Sequence, residues 1–324
     1  MKTKIAVVIP CYRVKAHIQA LIESILHKVD SIYVVDDKCP ESTGLFVEEK
    51  FAKENNVNVI FHDQNQGVGG AMISGYKAAI ENNDDIVVKM DGDGQMDAQF
   101  LNRLINPILK EKADFCKANR FYDLIALDQM PWVRRIGNLG LSVLTKAASG
   151  NWHISDPTNG YIAISTQALK QLNLDALSKN YFFETSMLIQ LNIIRAVIID
   201  IPIPAKYDNE QSSLSIRKTL LTFPFKLTSG LFYRLFWRYF IYDINAVTIF
   251  LILGTIIFAS GVSFGAYRWI LGGIQGVVQT AGTVALAFLP TLLGFQMLLQ
   301  AILLDVIDRP TQLIGNLIDD KEDH

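Results

Sequence analysis

From residue 4 to about residue 118 the chain alternates short apolar runs with longer segments in which apolar positions recur every three or four residues. The runs IAVVI at 5–9, SIYVVDD at 31–37, VNVIF at 57–61, DIVVKMDGDG at 85–94 and DFCKA at 114–118 read as strands. The segments near 14–28, 43–54, 68–82 and 97–110 read as helices. Such alternation predicts an α/β unit with a doubly wound, mostly parallel sheet covered on both faces. Ligands of these sheets bind beyond the carboxyl ends of the strands. Polar residues collect at those ends: Asp36 and Asp37, Asn65, and Asp91 with Asp93. Together they mark one site, although an Asp-Asp pair after a strand serves equally well as a turn or helix cap.

The pattern changes after residue 215. No charge occurs between Asp243 and Arg268, or between Arg268 and Asp305, leaving uncharged runs of 24 and 36 residues. A membrane-spanning helix needs about 20 apolar residues. The runs AVTIFLILGTIIFASGVSFGA and VALAFLPTLLGFQMLLQAILL, joined through LGGIQG, therefore predict a two-helix transmembrane hairpin with Pro290 inside its second span. A pair of buried core helices is the other reading, but the short remaining tail offers them no amphipathic partners. Arg217, Lys218, Lys226, Arg234 and Arg238 precede the hairpin, Arg309 and Lys321 follow it, and Arg268 alone lies in the connection. That bias places both flanks in the cytoplasm. The segment PFKLTSGLFYRLFWRYFIYD, 224–243, reads as an amphipathic helix lying in the interface, or else as an extension of the first span. Its arginines would suit anionic lipid. The expected organisation is a cytosolic domain over 1–215, juxtamembrane helices over 216–242, two spans over 243–307 and a cytosolic tail over 308–324.

Composition narrows the function. Thirty basic residues face 32 acidic ones, a net charge of −2, so the chain lacks the footprint of a nucleic-acid binder. Cys11, Cys39 and Cys116 are odd in number and widely spaced, which predicts neither a disulfide framework nor a CxxC zinc or redox site, and a reducing compartment. The N-terminal apolar run is too short for a span, and no signal peptide is expected. The loop NQGVGGAM follows the third strand and lacks the G-x-G-x-x-G spacing, which excludes a dinucleotide-binding oxidoreductase. The most chemical segment is Asp91-Gly92-Asp93-Gly94-Gln95. Its glycines allow a sharp turn, and its carboxylates and amide are hard oxygen donors suited to Mg²⁺ or Mn²⁺.

The order VVIPCYR, VVDD, NQG, DGDGQ, followed by ANRF, PWVRRIGN, SDPTNGY and an apolar hairpin, resembles the GT-A fold of family 2 inverting glycosyltransferases. Within that family it is similar to the polyprenyl-phosphate branch. The resemblance covers nearly the whole chain. It implies that Pro10 and Tyr12 border the nucleotide, that Asp37 with Asp36 meets the base, and that Gln66 and Gly67 flank the nucleotide. It implies that Asp91 approaches the ribose and donor sugar beside the cation, which Asp93 and Gln95 bind. Processive members carry a Q-x-x-R-W motif and often an E-D pair; this chain has neither, and Glu184 is followed by Thr185.

A hydroxyl acceptor needs a general base as it attacks, whereas a phosphate monoester carrying about −1.5 to −2 charge is already a nucleophile. It requires cations to hold it, for which Arg120, Arg134 and Arg135 are the candidates. Asp156 would orient the acceptor or act as base, or would merely form a turn before Pro157. The expected activity is inverting transfer of a hexose from a nucleotide sugar, UDP-linked, to a polyprenyl phosphate such as undecaprenyl phosphate, for assembly of a cell-envelope polysaccharide. The site would be that of a multi-pass enzyme of the plasma membrane, the bacterial inner membrane, with its catalytic domain in the cytoplasm. Two alternatives stand beside it: a non-processive enzyme acting on a lipid-linked or glycan hydroxyl with Asp156 or Glu184 as base, and a two-span assembly protein that only binds a nucleotide sugar. Homo-oligomer formation is open on the sequence.

Overall fold

The computed structural model describes residues 2–122, 132–204 and 216–317, with the side chains of 132–139 and 216–221 left undescribed. They fall into two compact units, one formed by residues up to Arg234 together with those from Arg309 onward, the other by Leu235–Asp308.

The first unit is built on seven strands: β1 (Ile5–Cys11), β2 (Ser31–Asp36), β3 (Val57–Phe61), β4 (Ile86–Lys89), β5 (Phe115–Asn119), β6 (Ile162–Ser165) and β7 (Ile198–Pro202). Their order across the sheet is β3-β2-β1-β4-β6-β5-β7. All neighbours are parallel except β6, which runs antiparallel to both β4 and β5. The expected doubly wound, mostly parallel sheet is thus present. Alternate residues point to opposite faces of a strand. Val7, Ile9, Ile32, Val34, Val88 and Cys116 accordingly pack on one face with α1 (Lys15–Ile25) and α4 (Leu101–Leu109). Ala6, Val8, Tyr33, Val35, Val87 and Phe115 pack on the other with α3 (Gly67–Glu81) and helix Phe183–Ile193. A shorter helix, α2 (Thr43–Lys50), follows β2.

Two further helices attach to this unit. Helix α5 (Trp132–Ser149) ends on Gly150, whose φ of +71° is the left-handed closure that favours glycine. Arg234 lies against Gly150 and donates to the Ala148 carbonyl at 3.1 Å and to that of Ala147 at 3.4 Å. A guanidinium suits the negative end of a helix. Arg234 is fully buried, so this arginine of the predicted interfacial segment turns into protein rather than toward lipid. The segment itself is a helix over Ile216–Phe236, with a π-helical turn following at Trp237–Tyr242. Phe225 and Phe232 remain exposed.

Residues after the hairpin also belong to the first unit. Ile314 is buried in the sheet's core, and its amide donates to the Asp114 carboxylate at 3.1 Å. Part of the expected tail over 308–324 is therefore packed structure; two Leu-Ile pairs in a short polar stretch give little periodicity from which to expect it.

In the second unit, helices Ala246–Gln275 and Ala281–Ile307 are long and apolar enough to cross a membrane. They lie side by side because small residues face each other: a Cβ on Gly294 would stand 2.3 Å from the Phe258 amide nitrogen, and one on Gly261 2.6 Å from Thr291. Close backbone approach through small residues is how helices associate in lipid. Asn245 caps the first of them through a capping box, and Gly276 ends it at φ +64°. At the other end of the pair Arg238 donates to Asp308 at 2.5 Å, and the Tyr239 hydroxyl to Asp305 at 2.6 Å. Arg238 is likewise buried within its own unit.

If Ile314 completes the sheet's core, Ile314→Ala removes buried aliphatic contact and should lower the stability of the first unit by about 2–5 kcal/mol. Denaturant unfolding followed by a probe in the sheet measures this. An unchanged transition would show that residues 309–317 contribute nothing to that core.

Candidate functional site

The exits of β1, β2, β3, β4 and β5 lie along one edge, and because β6 is reversed, its entry turn lies there too. This edge gathers Tyr12, Asp36 and Asp37, His62 to Gly67, Asp91 to Gln95, Arg120, and the turn Asp156–Gly160. The strand order reverses between β1 and β4, where a doubly wound sheet opens its crevice. Gly92 packs there, its position for a Cβ lying 2.8 Å from Val14 and 3.5 Å from the Pro10 carbonyl.

The two carboxylates after β2 are buried and turned into the protein. Asp36 accepts from the Cys39 amide at 2.7 Å and from the Gly44 amide at 2.6 Å, which places its charge at the start of α2. Asp37 accepts from His62 Nδ1, from the Gln66 amide and from the Gly67 amide, each at 2.7 Å. His62 in turn meets Ser74 through Nε2 at 2.8 Å. Gly67 requires its φ of +82° and has no room for a side chain beside the Lys179 carbonyl. That carbonyl also accepts from the Gly69 and Gly70 amides. The amides that open α3 are thus taken by Asp37 and Lys179, which gives the glycine-rich loop a packing role and leaves it unlike a dinucleotide loop. Tyr12 is 45% exposed with the Arg13 guanidinium 5.4 Å from its ring centre.

After β4 the chain turns sharply. Gly94 adopts φ +78°, and Asp93 Oδ1 accepts from the Gln95 amide at 3.0 Å. Asp91 is held from below by the ammonium of Lys89, 2.6 Å from Oδ1. That ammonium also lies 3.4 Å from Glu184, in the first turn of the helix Phe183–Ile193. Lys89 is only 1% exposed, and its two carboxylates hold its pKa above the ordinary lysine value although burial works the other way. Among the described residues, no group of three His, Cys, Asp or Glu side chains comes together as a cation site. Asp91, Asp93 and Gln95 do present only hard oxygens on one short loop. Such a set fits Mg²⁺ or Mn²⁺ when the remaining ligands come from phosphate oxygens.

On the other side of β6, Arg120 forms a two-pronged pair with Asp156, with Nε to Oδ2 at 2.7 Å and Nη2 to Oδ1 at 3.1 Å. Asp156 is fully buried. Burial raises its pKa, but the hydrogen bonds and charge of Arg120, with Lys117 behind, prevail and hold it below the usual carboxylate range. It is a fixed anion that aims a guanidinium. Lys117, 1% exposed, donates to the Asn159 carbonyl. Burial pushes its pKa down to about 8 against the opposing pull of Glu184 and Asp156. Arg134 and Arg135 lie on α5, and their side chains fall outside the described residues.

Sequence reasoning overlooked Lys89, Lys117, His62 and Gly160. The lysines carried a signal: each interrupts an apolar strand, in IVVKM and in FCKAN, and a lysine is almost never buried without a partner. Gly160 leaves no space for a side chain, since a Cβ would lie 2.6 Å from Lys89 Nζ and 2.9 Å from Asp91 Oδ2.

Comparison with known proteins places this edge in context. Residues 6–172, which run from within β1 to beyond β6, match the model for glycosyl transferase family 2. A UDP-N-acetylglucosamine–dolichyl-phosphate N-acetylglucosaminyltransferase of Methanococcus voltae is 31% identical over 71% of this chain and 94% of its own length. An undecaprenyl-phosphate mannosyltransferase of Micrococcus luteus is 29% identical over 53% of this chain and 70% of its own. A polyprenol monophosphomannose synthase of Mycolicibacterium smegmatis is 26% identical over 56% of this chain and 69% of its own. With the family model spanning half of the chain and one relative matched almost end to end, this protein belongs to glycosyl transferase family 2 and is a glycosyltransferase.

Proposed function

We propose that this enzyme transfers a hexose or N-acetylhexosamine from a UDP-linked donor to a membrane polyprenyl phosphate, with inversion at the anomeric carbon. The observation that carries the choice of acceptor is the state of the two carboxylates a hydroxyl acceptor would need. Asp156 is fully buried on Arg120, and Glu184 lies against the buried ammonium of Lys89. Both already serve as counter-charges, so neither suits a general base. A phosphate monoester needs none. It needs cations, and Arg120 is aimed at this edge by its partner. Arg134 and Arg135 would extend the cationic side along α5. The names of the three relatives, which state a dolichyl phosphate, an undecaprenyl phosphate and a polyprenol monophosphomannose, support the same acceptor class.

On the donor side, Tyr12 and Pro10 would border the base, with Asp37, Gln66 and Gly67 setting the wall behind it. Asp36 and Asp37 act there through the turns they fix. Asp91 would meet the ribose and donor sugar. Asp93 and Gln95, with Asp91 adjoining, would hold Mg²⁺ or Mn²⁺, which neutralises charge on a departing diphosphate. The lipid phosphate attacks the anomeric carbon opposite the leaving nucleoside diphosphate, a C–O bond to phosphate forming as the C–O bond to the diphosphate breaks. The helices Ala246–Gln275 and Ala281–Ile307 would cross the plasma membrane as a hairpin, with the catalytic unit in the cytoplasm where the nucleotide sugar is found. The chain on either side of them belongs to the same compact unit, as two crossings require.

Purified protein given UDP-N-acetylglucosamine, Mn²⁺ and undecaprenyl phosphate should form a lipid-linked sugar that mild acid releases. Undecaprenol, lacking the phosphate, should give none; product from undecaprenol would instead establish a hydroxyl acceptor. Under the same conditions Arg120→Gln should raise the acceptor KM about 10- to 100-fold, the loss of charged hydrogen bonds, with the donor KM within about twofold. Excess chelator should abolish transfer and added Mg²⁺ or Mn²⁺ restore it, and Asp93→Asn should lose turnover while unfolding at the wild-type temperature. Transfer that persists in chelator would remove the cation from the reaction. In intact cells a membrane-impermeant thiol reagent should label a cysteine placed at Gly273, where a side chain meets nothing within 4 Å, but not one placed at Lys2 or His324. Labelling at only one end of the chain would mean an odd number of crossings.

A further inference from the structure

Lys89 and Lys117 stand in one row of the sheet. Both pair across their strands with Ile162, Lys89 from β4 and Lys117 from β5. Directly opposed residues project to the same face, so the two ammonium groups rise side by side under the site edge. Their strand neighbours on that face, Val87 and Phe115, are wholly apolar core. An ammonium is costly to bury, and replacing a buried ion pair with well-packed apolar groups is often neutral or stabilising. Stability alone therefore does not account for two such lysines. What they touch differs. Lys89 holds Asp91 at 2.6 Å, whereas Lys117 holds the Asn159 carbonyl, three residues past Asp156. Glu184 lies between them as a shared counter-charge, 3.4 Å from Lys89 and acting on Lys117 electrostatically. Gly160 is pressed on Lys89 and Asp91 at once, so the two halves meet at a glycine.

We propose that Lys89 and Lys117 are paired positioning residues, the first fixing the donor-side loop at Asp91 and the second fixing the turn that aims Arg120 at the acceptor. The assignment of donor and acceptor sides rests on the function proposed above; the placement of the loops does not.

The test uses the full-length protein with Lys89→Met and Lys117→Met, and the charge-balanced double variant Lys89→Met/Glu184→Gln should either single variant unfold. Hydrogen exchange, which needs no substrate, should speed about 10- to 100-fold over residues 91–95 in Lys89→Met and over 156–161 in Lys117→Met, with the other loop and the rest of the sheet unchanged. In kinetics with UDP-N-acetylglucosamine and undecaprenyl phosphate, Lys89→Met should lower kcat by about 100-fold with the acceptor KM unaltered, the scale of a small misplacement of a reacting group. Lys117→Met should raise the acceptor KM with donor binding, measured calorimetrically, unaltered. Restoration of the 91–95 exchange rate by Lys89→Arg would support the proposal. Exchange unchanged in both loops, or loosened equally in both and across the sheet, would overturn it by making the lysines ordinary core. Split exchange in the two variants, with a wild type that makes no lipid-linked sugar, would support the positioning roles while removing the proposed reaction.

Discussion

One reversed strand sets the arrangement of this site. Six strands deliver their carboxyl ends to a common edge, and a seventh parallel strand between β4 and β5 would have brought its amino end, with Asp156 and its turn, to the far side of the sheet. Because β6 runs the other way, the Asp156–Gly160 turn enters between Asp91 at the end of β4 and Arg120 at the end of β5. The acidic loop after β4 and the cationic turn after β5 are separated by the width of one strand, about 4.8 Å from each neighbour. The close contact of Gly160 with Lys89 and Asp91 follows from that insertion.

Such crowding of charge holds only because each buried group has an answer. Asp36 and Asp37 are satisfied by backbone amides at the start of helices or turns, Asp156 by a guanidinium, and Lys89 by two carboxylates. Removing one member would strand another in low dielectric, at a cost of several kcal/mol. The edge is consequently stiff before any ligand arrives. A preorganised arrangement of dipoles and charges stabilises developing charge without reorganising as it forms. For the proposed reaction, in which both reactants carry phosphate charge, that is the principal contribution a protein can make.

Much of this was legible in the sequence, for physical reasons. The strands and helices announced themselves through their periods, and Asp91 to Gln95 through glycines flanking carboxylates. The hairpin was plain from two uncharged runs. Other features were hidden because they depend on which residues become neighbours. Nothing local distinguishes Asp36, which closes a helix start, from Asp37, which gathers β3 and α3 through His62 and Gly67. The arginines of the aromatic segment read as lipid-facing because their partners, the Ala147 and Ala148 carbonyls for Arg234 and Asp308 for Arg238, lie about 70 or more residues away along the chain. Asp156 read as a base, an orienting group or a turn former for the same reason. Its meaning came from Arg120, 36 residues earlier.

The burial of Ile314 bears on the order in which the molecule is made. Its amide reaches Asp114 across 200 residues of chain, and the two apolar helices are synthesised between them. A domain growing from the ribosome would hold β1 to β7 long before residue 314 emerges, with a gap in its core where that side chain belongs. Under the proposed two crossings, both ends of the helix pair lie on the side where the sheet waits. An odd number of crossings would then strand Ile314 across the bilayer from its seat. A chain so threaded would carry an incompletely packed domain open to degradation.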